Sequence, residues 1–170
     1  MHSLFGAMTP RRLGLTSKSL IGIDPRDPMF SFLTHLLIDH NGIPSHLITY
    51  MSTSLSHLPA LTHLAMCDFE LRYPSSCAAT EKAILTTCKG LRVLVVDPET
   101  IRLEGLPSVD DVRFIYMKWM GDLRRLIEGW VAETRGGIDF WARADAFVAK
   151  RRRGEILPAS RCWIEVDDGI

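Results

Sequence analysis

Leu33-Thr34-His35-Leu36 returns as Leu61-Thr62-His63-Leu64 and again, with two positions changed, as Leu91-Arg92-Val93-Leu94. Each copy opens a Leu-x-x-Leu-x-apolar frame: Leu33, Leu36 and Ile38, then Leu61, Leu64 and Met66, then Leu91, Leu94 and Val96. The copies are 28 residues apart (61 minus 33) and then 30 (91 minus 61). That period suits one strand plus one helix per coil, with coils stacked so that equivalent leucines share a core.

The segments between the copies carry the matching punctuation. Pro44-Ser45 opens a stretch with Leu47, Ile48, Met51 and Leu55 at helical spacing, closed by His57-Leu58-Pro59. Tyr73-Pro74-Ser75-Ser76 opens the next helix, whose expected buried side is Ala79, Ala83, Ile84 and Cys88, and Lys89-Gly90 stops it. Strands are expected at about 11–15, 32–38, 61–66, 91–96 and 112–117. For the last, Leu106-Pro107-Ser108-Val109-Asp110-Asp111-Val112 is aligned on Leu58-Pro59-Ala60-Leu61-Thr62-His63-Leu64.

From Lys118 the pattern turns helical. Met120, Leu123, Leu126, Ile127, Trp130 and Val131 form one apolar stripe up to Gly136-Gly137, and Asp139 can cap a second helix with Phe140, Trp141, Ala144, Phe147 and Val148 inward. The expected fold is α/β: a short leucine-rich-repeat-like solenoid of four to five repeats with parallel strands over 10–117, and a two-helix C-terminal cap over 118–153. Tails 1–9 and 154–170 are weakly specified. The helical register of Trp119, Trp130 and Trp141 makes them cap core rather than a stacking platform for bases.

Composition narrows the function classes. Twenty basic and twenty acidic residues cancel, so no global field favours nucleic acid or an anionic membrane. The basic run Lys150 to Arg153 stands at a helix end, where it opposes the dipole. Apolar runs are far shorter than the roughly 20 residues that cross a bilayer. No secretory signal is read at Met1 to Arg12, so the expected location is cytoplasmic or nuclear. Four scattered cysteines, Cys67, Cys77, Cys88 and Cys162, suit reduced thiols better than a disulfide framework.

The chain resembles the C-terminal part of the leucine-rich-repeat-like hypothetical proteins of mushroom-forming fungi, some of which carry an N-terminal F-box. The matching pieces are Pro10-Arg11-Arg12-Leu13, the Leu-Thr-His-Leu copies, the stretch from Cys88 to Val96, and the closing stretch from Asp139 to Ile156. Roughly residues 10 to 156 are covered, the closing stretch most specifically. That resemblance implies a substrate-selecting or scaffolding role in F-box members. No F-box-like stretch stands in these 170 residues. The asparagine expected after each strand is met by Asn41, with Phe69, Glu99 and Met117 at the equivalent places.

If the frame leucines point into the core, alternation sends the residues between them to the opposite, inner face. Three columns are expected there. Arg12, His35, His63, Val93 and Asp111 form one, Gly14, Leu37, Ala65, Val95 and Arg113 the next, and Thr16, Asp39, Cys67, Asp97 and Ile115 the third. The functional expectation is a protein–protein interaction module that binds through this face, as the substrate-recognition part of an F-box-type protein would. Candidate contacts are His35, Leu37, Asp39, His63, Ala65, Cys67, Val93, Val95, Asp97, Asp111 and Arg113. The first strand presents an edge that a further segment or a second copy could cover.

The alternative is a hydrolase or metal-dependent enzyme built on His35, His63 and Cys67. Scattered ligand types without a short ligand spacing argue against it, and HExxH, GxSxG and phosphate-cradling glycine loops are absent. No enzyme, cofactor or metal is therefore expected. A second alternative is a non-functional fragment of an expanded repeat family.

Overall fold

The computed structural model describes residues 9–39, 46–67, 74–97, 109–117, 140–165 and 168–170. Its centre is one sheet of five parallel strands in sequence order: β1 (Arg12–Thr16), β2 (His35–Asp39), β3 (His63–Cys67), β4 (Val93–Val96) and β5 (Phe114–Tyr116). Helix α1 (Ser17–Ile21) and a 3-10 turn at Pro28–Phe30 lie between β1 and β2. Helix α2 (His46–Ser56) joins β2 to β3, α3 (Pro74–Thr87) joins β3 to β4, and α4 (Phe140–Arg152) follows the sheet. The protein is thus α/β, and no described helix is long and apolar enough to cross a membrane.

The repeat sets the register. Leu13, Leu36, Leu64, Leu94 and Phe114 stand side by side across the sheet, as do Leu15, Ile38, Met66, Val96 and Tyr116. Both rows face α2 and α3, where Met51, Leu55, Ile84 and Leu85 complete one core. Each coil also hands backbone donors to the one before it. The N–H groups of Thr34 and His35 donate to Arg11 O, those of Thr62 and His63 to Thr34 O, and those of Arg92 and Val93 to Thr62 O. The same junction is built three times because a Leu-x-x-Leu frame opens each of these coils.

The opposite face holds a second core. Leu37, Ala65, Val93, Val95 and Ile115 are fully buried there, packed with Trp141, Ala144, Phe147 and Val148 of α4. A sheet covered on both faces accounts for the unbroken run Val93-Leu94-Val95-Val96, whose every residue is buried.

Several expectations need correction. The second helix of the C-terminal pair does not sit over the end of the stack but lies across the inner face. The first of that pair, with Trp119 and Trp130, falls outside the described residues, as does Asn41. The buried side of α3 matches the expected one at Ile84 and Cys88 only: Ala79 and Ala83 are exposed, while Thr80, Glu81 and Leu85 are buried.

The last strand is also two residues later than the leucine-proline alignment gave. Leu94 pairs with Phe114 and Val95 with Ile115, because a turn at Asp111 lengthens that coil: its Oδ1 accepts from the Arg113 N–H at 2.9 Å.

The end of the chain carries more structure than its composition suggested. Tyr116 N donates to Cys162 O, and Trp163 forms a parallel bridge with Tyr116, so this segment covers the β5 edge. Arg161, 7% exposed, reaches Asp168 Oδ1 at 2.6 Å and Glu165 Oε2 at 2.9 Å. Its guanidinium carbon lies 5.8 Å from the centre of the Phe147 ring. The first half of the basic run is fastened: Arg151 Nη1 donates to the carbonyls of Asp111, Val112 and Phe114, and Lys150 Nζ donates to Asp168 O, while Arg152 and Arg153 are exposed.

Candidate binding face

The expected inner-face columns form for the first four strands. Arg12, His35, His63 and Val93 are neighbours in one row, Gly14, Leu37, Ala65 and Val95 in the next, and Thr16, Asp39 and Cys67 in the third. What differs is their access to solvent. Leu37, Ala65, Val93 and Val95 have none and His63 is 4% exposed, because α4 packs over them; Asp97 is 7% exposed. As contact residues these six are corrected, since all are buried, Leu37, Ala65, Val93, Val95 and His63 by the helix that follows the sheet.

Asp111 and Arg113 leave the face altogether. Arg113 is bidentate to Asp111, donates from Nη2 to Leu85 O at the C-terminal end of α3, and donates from Nη1 to Leu91 O. A guanidinium at the last carbonyls of a helix is favoured by the helix dipole. The hydrogen bond from Arg113 holds the Asp111 carboxyl below its usual pKa against desolvation. Both line a groove on the helix side with Lys82 and Lys89.

His35, Asp39 and Cys67 remain half-buried. Towards the outer side, Arg12 and Leu15 are half-buried while Arg11, Gly14 and Thr16 are exposed. The accessible part of the inner face is therefore its β1–β2 end. β1 is the terminal strand of the sheet among the described residues. Alternation points the backbone of Arg11, Leu13 and Leu15 at β2 and that of Gly14 outward.

The boundary between the covered and the open part is a histidine pair. The His35 and His63 rings stack with centroids 4.1 Å apart and planes 4° from parallel. Trp141 of α4 meets both edge-on, at 5.2 Å and 5.7 Å. Each histidine has its own threonine: Thr34 Oγ1 is 2.8 Å from His35 Nδ1, and Thr62 Oγ1 is 2.8 Å from His63 Nδ1. On the other side of His63, Nε2 lies 3.1 Å from Asp145 Oδ2 of α4.

That surrounding fixes the tautomer. A carboxylate only accepts, so Nε2 of His63 carries the hydrogen and Nδ1 of the neutral ring takes the Thr62 hydroxyl proton. If the ring gains a second proton, Nδ1–H donates to Thr62 Oγ1, and the hydroxyl turns to Thr34 O, 3.1 Å away. Both charge states keep their hydrogen bonds, so solvation and neighbouring charge decide between them. Burial lowers the His63 pKa and outweighs Asp145, which raises it, while the Arg92 and Arg12 charges lower it further.

Of the residues of the alternative enzyme, His35 and His63 are brought together, but Cys67 does not join them. His63 and Cys67 stand at opposite ends of β3, four residues or about 13 Å apart at strand rise. The described residues contain no group of three or more His, Cys, Asp or Glu arranged to hold a metal ion. Cys67, Cys88 and Cys162 are free thiols, and burial pushes the Cys88 pKa up to about 11.

Two features escaped the sequence reading. Asp145 gave no signal, because only the position of α4 makes it a partner of His63. Glu81 is fully buried, with neither carboxyl oxygen in a well-formed hydrogen bond. Its burial raises its pKa to about 8, and Tyr116 offsets this only in part.

No protein-family model matches the chain. No curated protein matches it either, and no solved structure does.

Proposed function

We propose that this chain is a protein-binding module, a short leucine-rich-repeat-like stack that takes an extended partner segment at the β1–β2 end of its inner face. The observation that carries this reading is the contrast between the two ends of the sheet. The β5 edge is covered by Cys162 and Trp163, while β1 is terminal among the described residues, with Gly14 and Thr16 exposed on it. A strand edge beside an open face binds peptides by adding a strand, with side-chain pockets supplying selectivity. Arg11 and Arg12 at the start of β1 favour acidic residues in the partner. Asp39 and Cys67 lie half-buried further along.

The resemblance to F-box-associated proteins fits the same reading, with the module as the substrate-selecting part. The test uses the full chain, immobilised, and compares the proteins it retains with those retained by Arg12→Glu, Gly14→Pro and Arg152→Glu. Loss with the first two and retention with the third supports the β1 side. Partners unchanged by both β1 substitutions remove that side from consideration.

A further inference from the structure

We propose that α4 is a proton-sensitive latch on the inner face: protonation at the His35–His63 stack raises the population in which the first half of the helix lifts off the sheet. The inference concerns regulation and stands whether or not the β1 side binds a partner.

The geometry divides α4 in two. Its second half is clamped: Arg151 holds three carbonyls ahead of and within β5, and Lys150 holds Asp168 O. Its first half rests on the histidines, with Trp141 against both rings and Asp145 on His63 Nε2. Leu37 and Ala65 are fully buried in the cluster that Trp141 and Ala144 of this half join.

The charged and titratable groups facing the pair decide the direction. Asp145 from α4 favours the imidazolium. Against it stand the loss of water around a ring that is 4% exposed, and Arg92 ahead of β4 and Arg12 on β1; a second proton on the parallel His35 ring, 4.1 Å away, adds to them. Asp145, with a side chain 44% exposed, shares its field with solvent and compensates only partly. When the helix lifts, His63 regains water and its ordinary affinity for a proton. The lifted state therefore binds more protons than the seated one, and acid favours it. The seat is firm above the ordinary histidine pKa of about 6.5 and weakens as pH falls below it.

Residue-resolved amide exchange on the full chain tests this, with each rate divided by its intrinsic chemical rate at the same pH. Between pH 7.5 and pH 5, the open population at residues 144–147 should rise several-fold, with a ceiling of about thirtyfold for one proton linked from an ordinary pKa of about 6.5, while β3 and β4 stay unchanged. Asp145→Asn should enlarge the rise, because it removes the one group that favours the buried imidazolium. His63→Gln should abolish it. Equal openness at both pH values, a rise that survives His63→Gln, or a rise shared equally by β3 and β4 overturns the proposal. If His63→Gln does not fold, Asp145→Asn decides: a rise no larger than that of the wild type overturns it.

Discussion

His35 and His63 lie face to face with their ring centres 4.1 Å apart, and the distance follows from the repeat. Both occupy the third position of a Leu-Thr-His-Leu motif, and the motifs begin neighbouring strands in register. Two duplicated side chains thus become one stacked unit, and Trp141 closes over it.

Trp141 is 1% exposed, so Trp141→Ala should cost about 3–5 kcal/mol, the range for truncating a large buried aromatic ring. Urea unfolding of the two proteins measures the difference. A loss below 1 kcal/mol would mean that the indole is not seated on the sheet.

Glu81 gives stability an unusual dependence on alkali. Its pKa is raised to about 8 in the folded protein from an ordinary 4.5, so the folded state holds a proton that the unfolded chain gives up. The protonated carboxyl costs nothing extra below pH 4.5, and stability is lost as pH rises towards and through 8. Glu81→Gln should therefore stabilise the protein at pH 8 by on the order of a few kcal/mol, with the difference vanishing near pH 4.5. Thermal unfolding at the two pH values reads it. A variant equally stable to wild type at pH 8 would place the carboxyl in water.

Asp168 anchors the terminal segment against Arg161. Desolvation works to raise its pKa, but the Arg161 hydrogen bonds, the Glu165 N–H and the Arg161 and Lys150 charges outweigh it and hold it below the usual value. Its contribution is present above the ordinary pKa of 3.8 and is lost as pH falls through the lowered folded one. Asp168→Ala should cost about 3 kcal/mol by leaving a buried guanidinium short of a partner. Glu165 keeps one contact and limits the loss. The β5 edge should become more open to amide exchange at Tyr116, and unchanged protection there would separate the ion pair from the edge.

The stacked strands were legible because they are spelled as repeats. A period near 29 and an alternating apolar frame fix strand, face and neighbour together, and the register of β1 to β4 agrees with them residue by residue. The last strand slipped by two because Asp110-Asp111-Val112 mimics a frame while Asp111 actually turns the chain. The inner surface was misjudged for a different reason. An apolar stripe such as Trp141, Ala144, Phe147 and Val148 says that a helix is buried but not against what. Glu81 was invisible in a similar way, since a charged residue on an amphipathic helix ordinarily marks the solvent side.

Proton–proton distances from nuclear Overhauser spectra between the Trp141 indole and the two histidine rings test the account most directly. Both the open β1–β2 end and the latch require α4 to sit on the in-register histidines. Cross-peaks from Trp141 to His35 and to His63, with a third set between the two imidazoles, are the predicted result. An indole that instead contacts Leu36 or Leu64 on the helix-bearing face, or neither histidine, would contradict it.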